Sequence, residues 1–409
     1  TGRCAEAVED LFYQYIQLLE KQKEIDHKSV FIDGTKIESR AGRYTFNWRG
    51  TAEKNLAKAK QKVQELTGCK TRNELEKLLA DKAEGITFVS GKGKHKTEQQ
   101  REWEAIDHLC QQWRKYAEQL AIMGEDRNSY SKTDHDATFM RMKEDAMLNG
   151  QLKPGYNIQF AVDAEYVVWT GESPWPTDVK TLIPFLEDLR EHLGSNYRKI
   201  VADAGYESEE NYEYLLKNGM ISFIKPNNYE ISKKHSFQNA IWRRENMAYD
   251  AATDSYLCAN GKQVKCEGTK KRKSRSGYVI ENTVYACHDC TGCPYKKDCI
   301  RGNNSKQPLE QREKHFEVSK RLLELRAEDK ERITSEEGKL LRMNRSIQAE
   351  GAFADVKETQ LFRRFLGTGH LNALTETVIC VLAHNFNKLH HKIQNGTQGR
   401  YLFPLQKLA

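Results

Sequence analysis

Three carboxylates and a lysine open the reading of this chain. In RSIQAEGAFADVKE (345–358), Glu350 and Lys357 stand seven residues apart, two helical turns, on one face of an amphipathic helix, with Gly351 just after the glutamate. Asp33 sits in SVFIDGTKIES (29–39), and Asp203 at the carboxyl end of KIVADAGY (199–206), where parallel strands build their sites. Each residue alone has a plainer reading. Asp33–Gly34 suits a hairpin turn, Asp203 a helix cap and Glu350 a solvated face. Their order, first strand then later strand then late helix, makes the case for a shared pocket. Carboxylates drawn together in that way suit Mg²⁺ or Mn²⁺, and two such ions ~3.5–4 Å apart serve phosphodiester chemistry. Asp163 is a rival second acid on the same sheet, and Asp134 and Asp136 read as turn or cap residues.

Six of the ten cysteines fall in residues 258–299. Cys287, Cys290, Cys293 and Cys299 give C-x2-C-x2-C-x5-C, preceded by Cys258 and Cys266. Four thiolates at short spacings suit a structural Zn²⁺, which would staple a segment with little apolar content. An iron–sulfur cluster and a set of unbound thiols are the competing readings. The choice of four among the six stays open. Two basic runs, KKRKSR (270–275) and FRRF (362–365), suit phosphate neutralisation or, more plainly, solvated loops. The aromatics flanking Arg363 and Arg364 favour buried anchoring of that segment. Trp242 suits a core, with base stacking as the alternative.

The elements that would position these residues follow from periodicity. YNIQFAVD (156–163) alternates, with Tyr156, Ile158, Phe160 and Val162 on one face, and YVVWT (166–170) reads as its antiparallel neighbour. Residues 29–39 read as a strand broken at Asp33–Gly34, and 43–48 as a second short strand. KIVADAGY, then the helix SEENYEYLLKNG, then ISFIKP suggest parallel pairing through a crossover. Thr177 is positioned to cap a helix reaching about Leu193, with Pro184 kinking it or moving its start. Residues 3–25 read as a helix with Val8, Leu11, Phe12, Tyr15, Ile16, Leu18 and Leu19 apolar. The division expected is an N-terminal helical segment (1–29), a core (30–48, 131–228 and 308–409), a helical insertion (49–130) and a small Cys-rich β insertion (229–307).

Composition sets limits on all of this. The chain has 409 residues, 38% hydrophobic and 30% charged, with a net charge of +7, which suits a soluble globular protein and is too mild alone to prove a nucleic-acid partner. No run approaches the ~20 apolar residues of a membrane span, and the first residues form no secretion signal, so a cytoplasmic location is expected.

VFIDGTKIES, KPGYNIQFAVDAE, IVADAGYESEENY and RSIQAEGAFADVKE…FRRF, in that order over residues 29–395, together resemble bacterial insertion-sequence DDE transposases. The resemblance implies an α/β, RNase H-like mixed sheet flanked by helices, and Asp33, Asp203 and Glu350 as the acidic triad holding Mg²⁺ or Mn²⁺. It implies double-stranded DNA as partner, namely transposon terminal inverted repeats and target DNA, with a homodimer on DNA and a nucleoid-associated location. It implies cleavage at transposon ends and joining of the 3′-hydroxyl to a target. A metal-dependent nuclease without strand transfer and a catalytically inactive, domesticated DNA-binding protein are the alternatives. Lys357 matches the lysine of the family's Tyr-x2-Arg-x3-Glu-x6-Lys signature, which grips DNA phosphate, and Gly351 would let DNA come close. Arg345 lies five residues before Glu350 instead of four, Met343 stands at the tyrosine position, and an ideal helix turns Arg345 away from Glu350. DNA contacts are expected from Arg345, Lys357, Arg363, Arg364, Lys270, Lys271, Arg272 and Lys273.

Overall fold

The computed structural model describes residues 4–91, 95–142, 150–194, 197–274, 276–302 and 305–401. Arg275, the last residue of the first basic run, lies outside the described residues. The main sheet is built from β1 (Ser29–Glu38), β4 (Thr138–Arg141), β5 (Leu152–Asp163), β6 (Tyr166–Ser173), β7 (Lys199–Ala202) and β8 (Ile221–Ile224). β5 lies antiparallel to β1 on one edge, and β4 and β6 share its other edge. β7 runs parallel to β1, and β8 parallel to β7. The alternation in 156–163 and the strand–helix–strand pattern of 199–226 thus produce the expected antiparallel and parallel pairings. The expected break at Asp33–Gly34 does not occur: β1 runs through it, with Asp33 opposite Phe160 and Gly34 opposite Gln159. A two-residue hairpin would forfeit the long ladder to β5, and the glycine has another use, described below.

Helices cover the sheet. α1 (Ala5–Lys21) packs on α11 (His370–Gln394), and its Phe12, Tyr15, Ile16 and Leu19 belong to the same core as the sheet. Leu11 and Leu18 of the expected stripe stay exposed. The N-terminal helix is therefore packed as part of the core rather than as a segment apart. α5 (Leu182–Leu193) starts later than the Thr177 reading placed it. A 3₁₀ turn, Asp178–Lys180, precedes it, and Pro184 falls in its first turn, where a missing N–H is tolerated. α6 (Glu209–Lys217) is capped by Ser208, whose hydroxyl accepts from Asn211 N.

β2 (Phe46–Trp48) and β3 (Ser129–Ser131) pair beside the helical region formed by α2 (Arg49–Thr67), α3 (Arg72–Ala83) and α4 (Glu98–Met123). These three helices close on a core of their own, with Val63, Leu75, Ile106 and Trp113. α3 carries a Thr71–Glu74 capping box that its sequence, TRNE, announces. The small second sheet has the order β13–β12–β11–β10–β9. Its strands are β9 (Ala248–Asp250), β10 (Ser255–Leu257), β11 (Gln263–Lys273), β12 (Val279–Cys287) and β13 (Lys314–Val318). It thus reaches past residue 307, because β13 pairs with β12 and supplies Val318 to the small core. Two short helices, α7 (His235–Gln238) and α8 (Lys296–Cys299), flank it.

α9 (Lys320–Thr334) leads into α10 (Glu336–Ala354) through a tight turn at Ser335, whose side chain caps α10 by accepting from Gly338 N. A Cβ on Gly338 would lie 2.0 Å from the Arg332 carbonyl oxygen, so the turn requires glycine there. α10 crosses β1, β7 and β5. Phe353 stacks on Phe160 at 4.1 Å and 13°, and Gln348 Oε1 accepts from Glu165 N at 2.9 Å, which fixes the helix over the β5–β6 hairpin.

Asp163, the rival second acid, is 3% exposed and accepts hydrogen bonds from the Asp26 and His27 amides and the Tyr197 hydroxyl, pinning the turn that feeds β1. Burial, with Asp26 nearby, pushes its carboxyl up to about 7. The folded protein then holds a proton that the unfolded chain releases at ordinary carboxylate pH. Between about pH 4 and 7 the folded state binds more protons, so this group's contribution to stability falls as pH rises. Asp163→Asn is expected to flatten that part of the pH profile, read as the urea midpoint at pH 5 and pH 7.5. An equal midpoint drop in wild type and variant would contradict the assignment.

Candidate active site

The parallel ladder between β1 and β7 ends at Phe31 opposite Val201. Two residues further along each chain stand Asp33 and Asp203, at one level and on one face, since side chains alternate with a period of two. Asp203 lies one residue past the end of β7, and Asp178 and the buried Tyr206 stand near both aspartates. α10 brings Glu350 to them. Its Arg345 places Nη1 3.1 Å from Asp33 Oδ2 and Nη2 3.2 Å from Glu350 Oε1. One guanidinium therefore joins the first and third acids. The expectation that Arg345 points away from Glu350 fails because the side chain is long enough to fold back, and two anions draw it. Asp33 and Arg345 are largely buried, with side chains 12% and 13% exposed, whereas the Glu350 side chain is 56% exposed and opens the site to solvent.

The two aspartates are braced by local hydrogen bonds. Asp33 Oδ1 accepts from Gly34 N at 2.9 Å, and Asp203 Oδ1 from Gly205 N at 2.7 Å. Behind them lies a fourth carboxylate that the sequence reading passed over, Asp178. A Cβ on Gly34 would lie 2.8 Å from Asp178 Oδ1, and a Cβ on Gly205 would lie 3.2 Å from Asp178 Oδ2. The glycine following each aspartate thus leaves room for the same carboxylate. Asn157 Nδ2 donates to Asp178 at 2.7 Å, and Gln159 Nε2 at 3.4 Å. The Tyr206 hydroxyl donates to Gln159 Oε1 and is fully buried. Its phenol is raised well above the usual range by burial and then by Asp178, Asp33 and Asp203, so it stays a donor. The signal that could have exposed this layer was the pair of glycines in IDG and ADAG, together with Asn157 and Gln159 alternating on β5.

The basic residues fall into distinct places. Lys357 lies in a π-helical turn, Asp355–Thr359, that interrupts the α register after α10 and shifts the lysine from the seven-residue alignment with Glu350. Gly351 is exposed, and a Cβ there would meet nothing within 4 Å, so no crowding inside the protein requires this helical glycine. Arg364 is occupied within the fold, donating to the Ser39 and Ala41 carbonyls beside Glu38, while Phe365 is buried. Arg363 pairs with Glu358 on the surface. Lys270, Lys271, Arg272 and Lys273 line exposed β11, with Lys270 and Arg272 within 3.7 Å and 3.5 Å of Glu317, and Lys271 within 3.7 Å of Glu281. The β11–β12 hairpin docks on the start of α6. Ser276 donates to Glu210 at 2.7 Å and Tyr278 to Glu209 at 3.1 Å, only a few residues beyond Asp203. Trp242 is half-buried between Arg243 and Arg301. Asp134 accepts from Ser39, Tyr156 and Gly369, and Asp136 from His370 N, so both hold the start of α11.

The cysteines lie as packed thiols. Cys287 and Cys290 are buried in the small core with Cys258 against it, and Cys290 Sγ donates to the Cys287 carbonyl at 3.1 Å. Burial pushes the Cys287 thiol up to about 11. Burial also raises Cys299, which stands near Cys258, Cys290 and Cys293. Cys266 is exposed on β11. Among the described residues, no three His, Cys, Asp or Glu side chains are grouped so as to hold a metal ion. Sulfur chemistry suits zinc, but these packed thiols do not form a ligand shell. The same holds at the acids: their hard oxygens are the type Mg²⁺ or Mn²⁺ prefers, but as they stand the three carboxylates are not grouped around one ion, and a guanidinium sits between two of them. Also among the described residues, no helix is long and apolar enough to cross a membrane.

No curated protein and no solved structure matches the chain significantly. Residues 257–390 match the family model of a transposase DDE domain, a stretch running from the small sheet through Glu350 and Lys357 into α11. Asp33 and Asp203 lie outside it, so their membership in the site rests on the sheet register and the Arg345 bridge. The match to the transposase DDE domain covers about a third of the chain.

Proposed function

We propose that the chain is a DNA transposase that cleaves phosphodiester bonds at transposon ends and joins the 3′-hydroxyl to target DNA. Asp33, Asp203 and Glu350 are its acids. The observation that carries this reading is that Arg345 bridges Asp33 on β1 and Glu350 on α10, with Asp203 just past β7, the parallel neighbour of β1. The strand order β6–β5–β1–β7–β8, antiparallel and then parallel, supports an RNase H-like core. The three carboxylates would hold Mg²⁺ or Mn²⁺, which when bound supply an activated water or 3′-hydroxyl and charge neutralisation at the leaving oxygen. Asp33 is set within β1 and Asp203 just past the end of β7, and Glu350 lies on the exposed side. Lys357 and the β11 lysines would hold the DNA backbone beside them. Two DNA ends call for two copies of the chain. A structural zinc on Cys287, Cys290, Cys293 and Cys299 would require these thiols to leave their present packing, and the zinc content of the purified chain measures it.

The test is nicking of supercoiled plasmid in Mg²⁺ or Mn²⁺, followed by a strand-transfer assay with pre-nicked end DNA. Binding without nicking in either ion would remove the enzyme reading. A separate outcome concerns the hairpin. Replacing Lys270, Lys271, Arg272 and Lys273 by alanine is expected to lower the slope of log affinity against log salt by about three to four, near one per phosphate contact. An unchanged slope would take this strand out of the DNA interface.

A further inference from the structure

Arg345 is committed to the acids, not to solvent. Its Nη1 is buried and makes no directional hydrogen bond, although Asp33 Oδ2 lies 3.1 Å away, so the contact is ionic. Its Nη2 donates to Glu350 Oε1 at 3.2 Å. A guanidinium stays charged at any working pH. Asp33 and Asp203 at one level of the sheet, with Glu350 above, would otherwise repel one another in a partly buried pocket. A dication bound between Asp33 and Glu350 would compete with the guanidinium, which already neutralises both carboxylates through Asp33 Oδ2 and Glu350 Oε1.

We infer that Arg345 is an internal counter-ion, seated where the ion must go, that keeps the acids assembled before metal arrives and is displaced when metal binds. Once released, its planar fork of donors is the group best matched to a backbone phosphate, a few ångströms from the acids. Arg345 is then a positioning residue whose two positions exclude each other, so metal loading and phosphate capture are coupled. The inference rests on the proposed metal-binding reading of the three acids.

The experiment titrates Mn²⁺ into the full chain without DNA, by calorimetry, for wild type, Arg345→Ala and Arg345→Lys, with melting temperatures taken in EDTA and in Mn²⁺. Arg345→Ala is expected to melt lower in EDTA yet to bind Mn²⁺ about tenfold more tightly, since the ion no longer displaces an ion pair. Arg345→Lys is expected in between, because it keeps the charge but cannot span both carboxylates. A merely structural arginine would move stability and metal affinity in the same direction. Wild-type binding with no gain in either variant overturns this inference alone. No binding by any of the three overturns the metal reading as well. If Arg345→Ala does not fold in EDTA, Arg345→Lys decides: tighter binding than wild type supports the displacement, and equal or weaker binding overturns it.

Discussion

Glu350→Gln is expected to leave the melting temperature of this protein nearly unchanged and to lower metal-dependent DNA nicking by at least ~10²–10³-fold, the scale of losing one group that stabilises charge in a transition state. The two halves of that expectation come from different observations. The side chain is 56% exposed and, among the described residues, pairs with Arg345, so folding loses little. Its oxygens would nevertheless complete the proposed acid site on the side open to solvent. Asp203→Asn should behave similarly, because the amide oxygen can still accept from Gly205 N, while the charge is lost. Asp33→Ala is a poorer probe, since it strands the buried Arg345 guanidinium and mixes folding with chemistry. Asp33→Asn keeps the shape. Residues acting as a unit are not additive, so the triple variant should be little worse than the worst single one. Nicking at the wild-type rate by both Glu350→Gln and Asp203→Asn would remove the site assignment, whatever Asp33 does.

What could be read from the chain beforehand divides along a physical line. Period-two alternation in residues 156–163 and the apolar runs at 199–202 and 221–224 identify strands from local pattern, and the structure has them as β5, β7 and β8. Asp203 stood out because strand ends are where open sheets place their chemistry, and Asp33 because of the order of the three acids along the chain. Local chemistry misled at Gly34. Asp-Gly is a strong turn signal, yet the glycine serves a contact with Asp178, nearly 150 residues later, and only tertiary packing supplies that reason. Arg345 misled because an ideal helix locates Cβ atoms, whereas a guanidinium on a flexible stem goes where the charge is. The helix at 5–21 joined the main core, and β13 joined the small sheet, because each had an apolar face whose partner lies far away in sequence. Asp178 carried no local mark at all; only the paired glycines hinted at it.

Lys392→Met is expected to destabilise the protein by about 3–5 kcal/mol, the range for a buried ion pair deprived of one partner. Glu24 is 1% exposed, and its Oε2 accepts from Lys392 Nζ at 2.9 Å and from the Tyr166 hydroxyl at 3.1 Å. Its Oε1 accepts from Gly399 N at 2.8 Å, and Lys392 also donates to the Arg400 carbonyl at 3.1 Å. Without the lysine, a carboxylate stays in the core with neutral donors alone. Its desolvation is then uncompensated. The double variant Glu24→Gln/Lys392→Met removes both charges and keeps an acceptor for Tyr166, so most of the loss should return, since replacing both members of a buried pair is often close to neutral. Guanidinium denaturation of the four proteins measures the coupling; single-variant losses below about 1 kcal/mol, or a double variant no better than the sum, would contradict it. The pair matters beyond stability. Glu24 and Asp163 together fix the turn at residues 24–27, one at each side of it, and that turn sets where β1 begins. Because β1 delivers Asp33 to a level shared with Asp203, a loosened turn shifts one acid against the other by a fraction of an ångström. Near-attack geometry tolerates little of that. Lys392→Met, assayed at a temperature where it is fully folded, should therefore also nick DNA more slowly than its folded fraction accounts for.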